Sequence, residues 1–194
     1  MGLLTLILGL VVLLGAHVFV TFRAPRAALI ARLGQGYRAL FALVSLVGLV
    51  LVIWGFGEYR AHGWIQIWSP PAVMRDIMMP LVLLAVIVLV SAFIPSRIRK
   101  LVKHPMLTSV KTWALAHLLA NGDLGGIILF GSFLLWGGYS RVAAKRRGDI
   151  GAAAKPVPSG WTNDIIVVVL GTGIFLALGF WFHPYVIGLP VFGR

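Results

Sequence analysis

Two of the five histidines, His17 and His117, stand inside apolar runs, while His62, His104 and His183 stand at run boundaries. An ionisable side chain within hydrocarbon is costly to keep there, and its default meaning is functional. On a helical rise of ~1.5 Å per residue, His17 lies about 9 Å past the boundary marked by Arg23, and His117 about 9–18 Å past Lys111 and Pro105. Comparable depth on two helices is what axial ligation of one haem iron by neutral imidazole nitrogens requires. Hydrogen bonds from each histidine to a neighbouring helix would explain the same positions, and spacing alone leaves both readings open.

Trp113 precedes His117 by one helical turn and so shares its face, where it would either line a flat ligand pocket or pack against a neighbouring helix. His104-Pro105 has the form of a helix start at the interface, and His183-Pro184 that of the last helix's end. The five acids, Glu58, Asp76, Asp123, Asp149 and Asp164, all fall at run ends or in loops. The chain therefore offers neither the mid-membrane carboxylate of proton and ion carriers nor a convergent acid pair. Asp123 suits the N-cap of a helix beginning at Leu124, and Asp164 the start of the last helix. With no cysteine in the sequence, disulfides, iron–sulfur clusters, thiolate ligation and cysteine nucleophiles are excluded. Any metal must be held by His, Met, carboxylate or backbone.

The elements that position these residues follow from composition. Of 194 residues, 60% are hydrophobic and 11% charged, against roughly 25% charged in a soluble domain. The bilayer is the solvent, and the expected fold is an all-α polytopic bundle. Spans are expected at about 3–22, 37–56, 77–94, 105–120, 124–139 and 164–182, punctuated by Pro25, Gly57 and Pro95. The stretch from Pro105 to Tyr139 is too long for one span and carries the turn signal Asn121-Gly122-Asp123, which divides it into two helices of ~24 Å each. That turn is expected to face water. The first run has no basic residue before it and no small-x-small site behind it, so it reads as a retained span. No strand precedes a glycine-rich loop that could cradle phosphate, and no internal repeat points to an inverted-repeat transporter.

The formal net charge is +12, but the basic residues lie between apolar runs rather than on one amphipathic face. They read as topology signals that also meet anionic lipid, and not as a nucleic-acid surface. With six spans and the N-terminus outside, the inner loops hold Arg23, Arg26, Arg32 and Arg38; Arg97, Arg99, Lys100, Lys103 and Lys111; and Arg141, Lys145, Arg146, Arg147 and Lys155. Only Arg60, Arg75 and Arg194 remain outside, whereas five spans would put the 141–155 cluster on the side opposite the first two. Both termini are thus expected in the periplasm. Gly148–Gly160 reads as an inner linker. Trp54, Trp64, Trp68, Trp136 and Trp181 are placed near headgroups, and the small residues Gly125, Gly126, Gly131, Gly137, Gly138, Gly171 and Ala177 at helix contacts.

The segment His104-Pro105-Met106, followed by Lys-Thr-Trp-Ala-Leu-Ala-His-Leu-Leu-Ala-Asn-Gly-Asp over 111–123, resembles the signature of the NnrU family. Tyr37-Arg-Ala-Leu-Phe41 leading into Ser45-Leu-Val-Gly48, and Trp68-Ser-Pro-Pro71, add to it, and the resemblance covers about 1–185 of what reads as a single domain. This family is similar to the 15-cis-zeta-carotene isomerases of plants and cyanobacteria, membrane enzymes that depend on haem b. Its bacterial members are associated with denitrification, through production of active nitrite and nitric oxide reductases.

The resemblance implies a multi-pass protein of the bacterial inner membrane with haem b iron as its metal, His17 and His117 as axial ligands, and Trp113 and His104 as further cofactor-binding candidates. It implies an accessory or maturation role toward the reductase machinery. An alternative is a haem-dependent cis–trans isomerase of a carotenoid-like or other membrane-soluble polyene, in which Lewis-acid iron would lower the barrier to double-bond rotation. A haem-free scaffold is the third reading. In the isomerase branch a cysteine stands three residues before the ligand histidine, where this chain has Ala114.

The charge distribution makes a direct prediction: topology reporters fused after Asp123 should read periplasmic and after Arg147 cytoplasmic. Both reporters on one side would sink the six-span arrangement.

Overall fold

The computed structural model describes residues 1–154, 156 and 160–192. Lys155 and Arg194 of the charge count, and part of the 148–160 linker, lie outside them. Among the described residues the protein is all-helical, with one isolated bridge between Gln66 and Asp123 in place of any strand. The helices are α1 (Gly2–Phe19), α2 (Arg23–Leu33), α3 (Gly36–His62), α4 (Val73–Ser91), α5 (Arg97–Val102), α6 (Pro105–Ala120), α7 (Leu124–Arg146) and α8 (Thr162–Ala177). A short turn of 3-10 helix covers Gly151–Ala154, and α8 continues as a π-helix over Leu178–Ile187.

Five of these, α1, α3, α4, α7 and α8 with its π-helical extension, are long and apolar enough to cross a bilayer. The protein is a multi-pass membrane protein on that ground, since in hydrocarbon each backbone polar group must be satisfied within its own helix. Helix α6, with 16 residues, spans about 24 Å. It starts at Pro105 and ends at Ala120, where Asn121 closes it by donating its backbone and side-chain N–H groups to the His117 carbonyl, at 2.9 and 2.8 Å.

Across the bundle the order of neighbours is α3, α1, α7, α6, α4, α8. Helices α1 and α3 run antiparallel along a seam of glycines, where a Cβ on Gly48 would come within 2.7 Å of Leu13 N and one on Gly9 within 2.5 Å of Val52 N. Lipid tails are as apolar as leucine, so close backbone approach of this kind, rather than exclusion of water, holds two spans together. These glycines were not among the small residues picked out by sequence. Of those that were, Gly125 meets the Tyr59 ring, Gly137 the Lys111 stem and Gly171 the Ile87 backbone, while Gly131 and Gly138 face open space. Helix α7 runs parallel to α1. Its start at Gly125 and the start of α1 at Gly2 both meet Tyr59, while Tyr139 near its far end hydrogen-bonds Thr21 just beyond α1 at 3.0 Å.

The turn expected in water is instead buried. Gly122 carbonyl accepts from Ile67 N and Trp68 N at 2.9 and 3.1 Å, and Leu124 N donates to Ile65 carbonyl at 2.9 Å. The Tyr59 hydroxyl donates to the Ile65 carbonyl at 3.2 Å and accepts from Ile65 N at 3.0 Å. Asp123, 1% exposed, caps α7 by accepting from Gly126 N at 2.7 Å. This clasp brings Asn121-Gly122-Asp123 against Trp68-Ser-Pro-Pro71 and requires glycine at 122, where a side chain would drive into the Trp68 carbonyl. A polar segment can cover a polar turn when their backbone groups pair, which removes the need for water.

Three further differences from the expected map have local causes. The stretch after the first span is not a simple loop but holds α2, an 11-residue helix with no buried residue. The last helix does not stop at His183-Pro184, because the wider π turn carries the chain through Pro184 and lets His183 Nδ1 donate to the Leu178 carbonyl at 2.9 Å. Lys111 is not in a loop but in the second turn of α6, with its methylene stem along Gly137, a snorkelling arrangement toward the end where α6 begins.

The clasp predicts that Gly122→Ala costs about 1–3 kcal/mol of stability through overpacking, and Asp123→Ala about 0.5–2 kcal/mol through loss of the cap. Thermal unfolding in detergent would measure both. Wild-type melting for Gly122→Ala, or an insertion at 121–123 that leaves melting unchanged, would show that the buried clasp is not present.

Candidate functional site

His17 lies near the end of α1, and its Nδ1 is 2.8 Å from the Leu13 carbonyl one turn back. A carbonyl only accepts, so Nδ1 carries a proton, and in the neutral ring Nε2 is then the atom with the lone pair. The ring packs against Phe41 of α3, with centroids 5.2 Å apart, and edge-on to Trp136 of α7 at 5.7 Å. His117 is built the same way, with Nδ1 2.9 Å from the Trp113 carbonyl on α6. Its ring stacks on Phe130 of α7 at 4.6 Å, and Trp113 completes the wall, 5.1 Å from His117 and edge-on to Phe130 and Phe133.

In their neutral form both histidines therefore present one tautomer, with Nε2 unpartnered among the described residues. An Nδ1–H held by a backbone carbonyl is the orientation that histidine ligands of metals use. Both also pack against α7, but not at the comparable depth expected from the sequence: Phe130 and Trp136 are six residues apart, about 9 Å along the helix. His183, on the π-helix, bonds its own backbone through Nδ1 in the same manner.

Trp113 is brought to the His117 site. His104 is not, since it stands 13 residues earlier on α6, about 20 Å along the axis, where its Nε2 is 3.2 Å from the Asp149 carbonyl. There it borders a separate cavity of about 360 Å³ with Arg99, Asp149 and Gly151. Among the described residues no three of His, Asp and Glu converge on one point. The two histidines offer separate imidazole nitrogens rather than a side-chain metal cage.

The surroundings of His17 carry a signal that sequence reasoning missed. Three side-chain atoms are buried without a hydrogen-bond partner among the described residues: Tyr37 Oη, Ser45 Oγ and Trp136 Nε1. Tyr37 and Ser45 lie one turn to either side of Phe41 on the same face of α3, and Phe41 and Trp136 both touch His17. The i, i+4, i+8 spacing of Tyr37, Phe41 and Ser45 was legible in the sequence as one helical face. What no spacing showed is that Trp136 joins them. It was expected at the headgroups, but α7 extends ten residues beyond it, so the indole sits inside the bundle. An unpaired buried polar atom costs about 1–3 kcal/mol and persists where a ligand or function uses it.

The residues fit a haem in donor chemistry, with free imidazole Nε2 atoms, aromatic walls at Trp113, Phe130 and Trp136, and orphaned hydrogen-bonding groups beside His17. Comparison with known proteins matches residues 5–191 to the family described as NnrU protein. No curated protein and no solved structure matches the chain.

If the orphaned groups are held for a ligand, Tyr37→Phe and Ser45→Ala should each leave the ligand-free protein as stable or more stable, by up to about 1 kcal/mol, because each removes an unpaired polar group. Loss of stability in the ligand-free protein, read by thermal unfolding, would show that these groups are already paired within the fold.

Proposed function

The chain belongs to the NnrU family over residues 5–191, and from that premise we propose that it is a haem-b-binding protein of the bacterial inner membrane, an accessory or maturation factor for nitrite and nitric oxide reductases. The observation that carries the haem reading is the shared state of His17 and His117, each with Nδ1–H on a carbonyl of its own helix and Nε2 unengaged among aromatic rings. A free neutral imidazole in an apolar bundle is a ligand kept ready, and helix-packing glue would spend both nitrogens on neighbouring helices. When bound, a haem supplies one-electron and diatomic-gas chemistry. The protein's part would be to hold the group through Nε2 of His17 and His117, to exclude water with Trp113 and Phe130, and to offer Tyr37, Ser45 and Trp136 as hydrogen-bonding groups.

The denitrification role rests on what is associated with the family, and it predicts weakened nitrite and nitric oxide reductase activity in a host lacking this protein. The isomerase reading has less support. Ala114, where the isomerase branch has its cysteine, is fully buried with Leu10, Leu13 and Phe130, so no thiolate is available to exchange with a histidine at the iron.

The proposal includes six spans with both termini in the periplasm. The parallel course of α1 and α7 supports it, because α7 can run in the direction of α1 only if α6 also crosses. The basic residues of α2, α5 and the end of α7 then all lie on the cytoplasmic side, in keeping with the positive-inside rule.

The test is the optical spectrum of purified protein, oxidised and reduced, with and without carbon monoxide or nitric oxide. His17→Ala and His117→Ala should each abolish or grossly alter a Soret band that His104→Ala leaves intact. His117→Met should keep some haem at a raised reduction potential, as thioether ligation does. Folded His17→Ala and His117→Ala proteins with an unchanged haem spectrum would exclude these ligands, and absence of any haem from the wild type would leave the scaffold reading.

A further inference from the structure

A second feature lies far from the histidines, where the short helix α5 crosses the start of α8. A cavity of about 1130 Å³ opens there, larger than the ~300–1,000 Å³ of ordinary small-molecule sites. One wall is cationic, formed by Arg97, Lys100 and Lys103 of α5 and its C-cap. The other is apolar, formed by Ile165, Val168 and Val169 along α8, and Leu101 adds an 82% exposed side chain between them.

The three cations have no acidic partner among the described residues, where the sole ion pair is His62 with Glu58. Asp164 lines the same cavity but is 7% exposed, and its Oδ1 accepts from Ile98 N at 3.2 Å. It pins α5 to α8 and so holds the cationic row over the apolar wall. The Arg97 guanidinium lies 4.0 Å over the ring of Trp161, a cation–π contact that fixes its position with the indole at the rim. Lys103 is the one described non-glycine residue with a positive φ, at 65°, a backbone strain of the kind that gathers at ligand sites.

A row of cations continuous with an apolar groove along a membrane-spanning helix matches an amphiphile with an anionic head and an acyl tail. A free anion would leave Ile165, Val168 and Val169 uncovered, and an acidic peptide would have to lay its backbone on that apolar wall. We infer that this cavity binds one anionic phospholipid, its phosphate on Arg97, Lys100 and Lys103 and one acyl chain along Ile165, Val168 and Val169. Only the leaflet, the cytoplasmic one, rests on the six-span reading; the site itself does not. Basic pockets between helices at that leaflet are the recognised form of such sites.

The experiment uses the full-length protein in detergent, mixed with vesicles of phosphatidylcholine alone or of phosphatidylcholine and phosphatidylglycerol in equal parts, with native mass spectrometry and thermal unfolding as readouts. The wild type should retain phosphatidylglycerol and be stabilised by it. Arg97→Gln, Lys100→Gln and Lys103→Gln combined should weaken retention about a hundredfold, given the attraction each basic group contributes at a membrane surface. Arg141→Gln with Arg146→Gln, which removes two cations outside the cavity, should leave retention unchanged. Val168→Trp, which keeps all the charges and fills the chain groove, should also lose the lipid, so a folding defect in the triple variant cannot mask the result. Equal retention by wild type and the folded triple variant, equal stabilisation by inorganic phosphate, or no preference over phosphatidylcholine would each overturn the inference.

Discussion

The backbone hydrogen bonds that join Ile65, Ile67 and Trp68 to Gly122 and Leu124 hold the arrangement from which the rest follows. Helices gain nothing from excluding lipid, so their relative placement must come from specific contacts. The clasp ties the end of α3 to the join between α6 and α7, and Tyr59 extends it to the start of α1. With those four helix ends gathered, α7 descends beside α1 instead of opposite to it. The glycine seam between α1 and α3 then lets backbones, rather than side chains, set the spacing. Burying a polar turn is ordinarily costly, but here the Gly122 carbonyl and Leu124 N pair with the covering segment and the Asp123 carboxylate with Gly126 N.

Placing α7 beside α1 and α6 has a chemical consequence. It offers one helix, rich in aromatic residues, against which two histidines from different helices can pack: His17 at Trp136 and His117 at Phe130. Each histidine then satisfies Nδ1 on its own backbone, the least demanding partner within a span, and leaves Nε2 without a partner among the described residues. The unpaired Tyr37, Ser45 and Trp136 groups set the His17 end apart from an ordinary apolar core, where evolution of stability alone would favour Phe or Ala.

The opposite end of the bundle is governed by charge. Arg97, Lys100 and Lys103 stand together because Asp164, 66 residues away from Ile98 in sequence, caps α5 onto α8. A buried carboxylate that accepts a backbone N–H does structural work at the cost of its availability as a counter-ion. The basic residues read from the sequence as topology signals thereby also form a surface with a definite shape. Topology signal and ligand chemistry need not be separate uses of the same arginines and lysines.

Composition and the lengths of the apolar runs determined the all-helical membrane fold, because hydrocarbon permits spanning segments only when their backbones pair internally. The sequence by itself also placed α6 between Pro105 and Ala120, the Asp123 cap, and His17, His117 and Trp113 as the residues to watch, since proline, cap residues and intramembrane histidines act through local chemistry. It did not show that the Asn121-Gly122-Asp123 turn is buried, that Trp136 meets His17, or that the last helix passes through Pro184. Those were decided by the tertiary structure. Each depends on a pairing between segments far apart in the chain or on the close approach of two backbones, and helical periodicity along one segment carries no information about the shape of the segment it will meet.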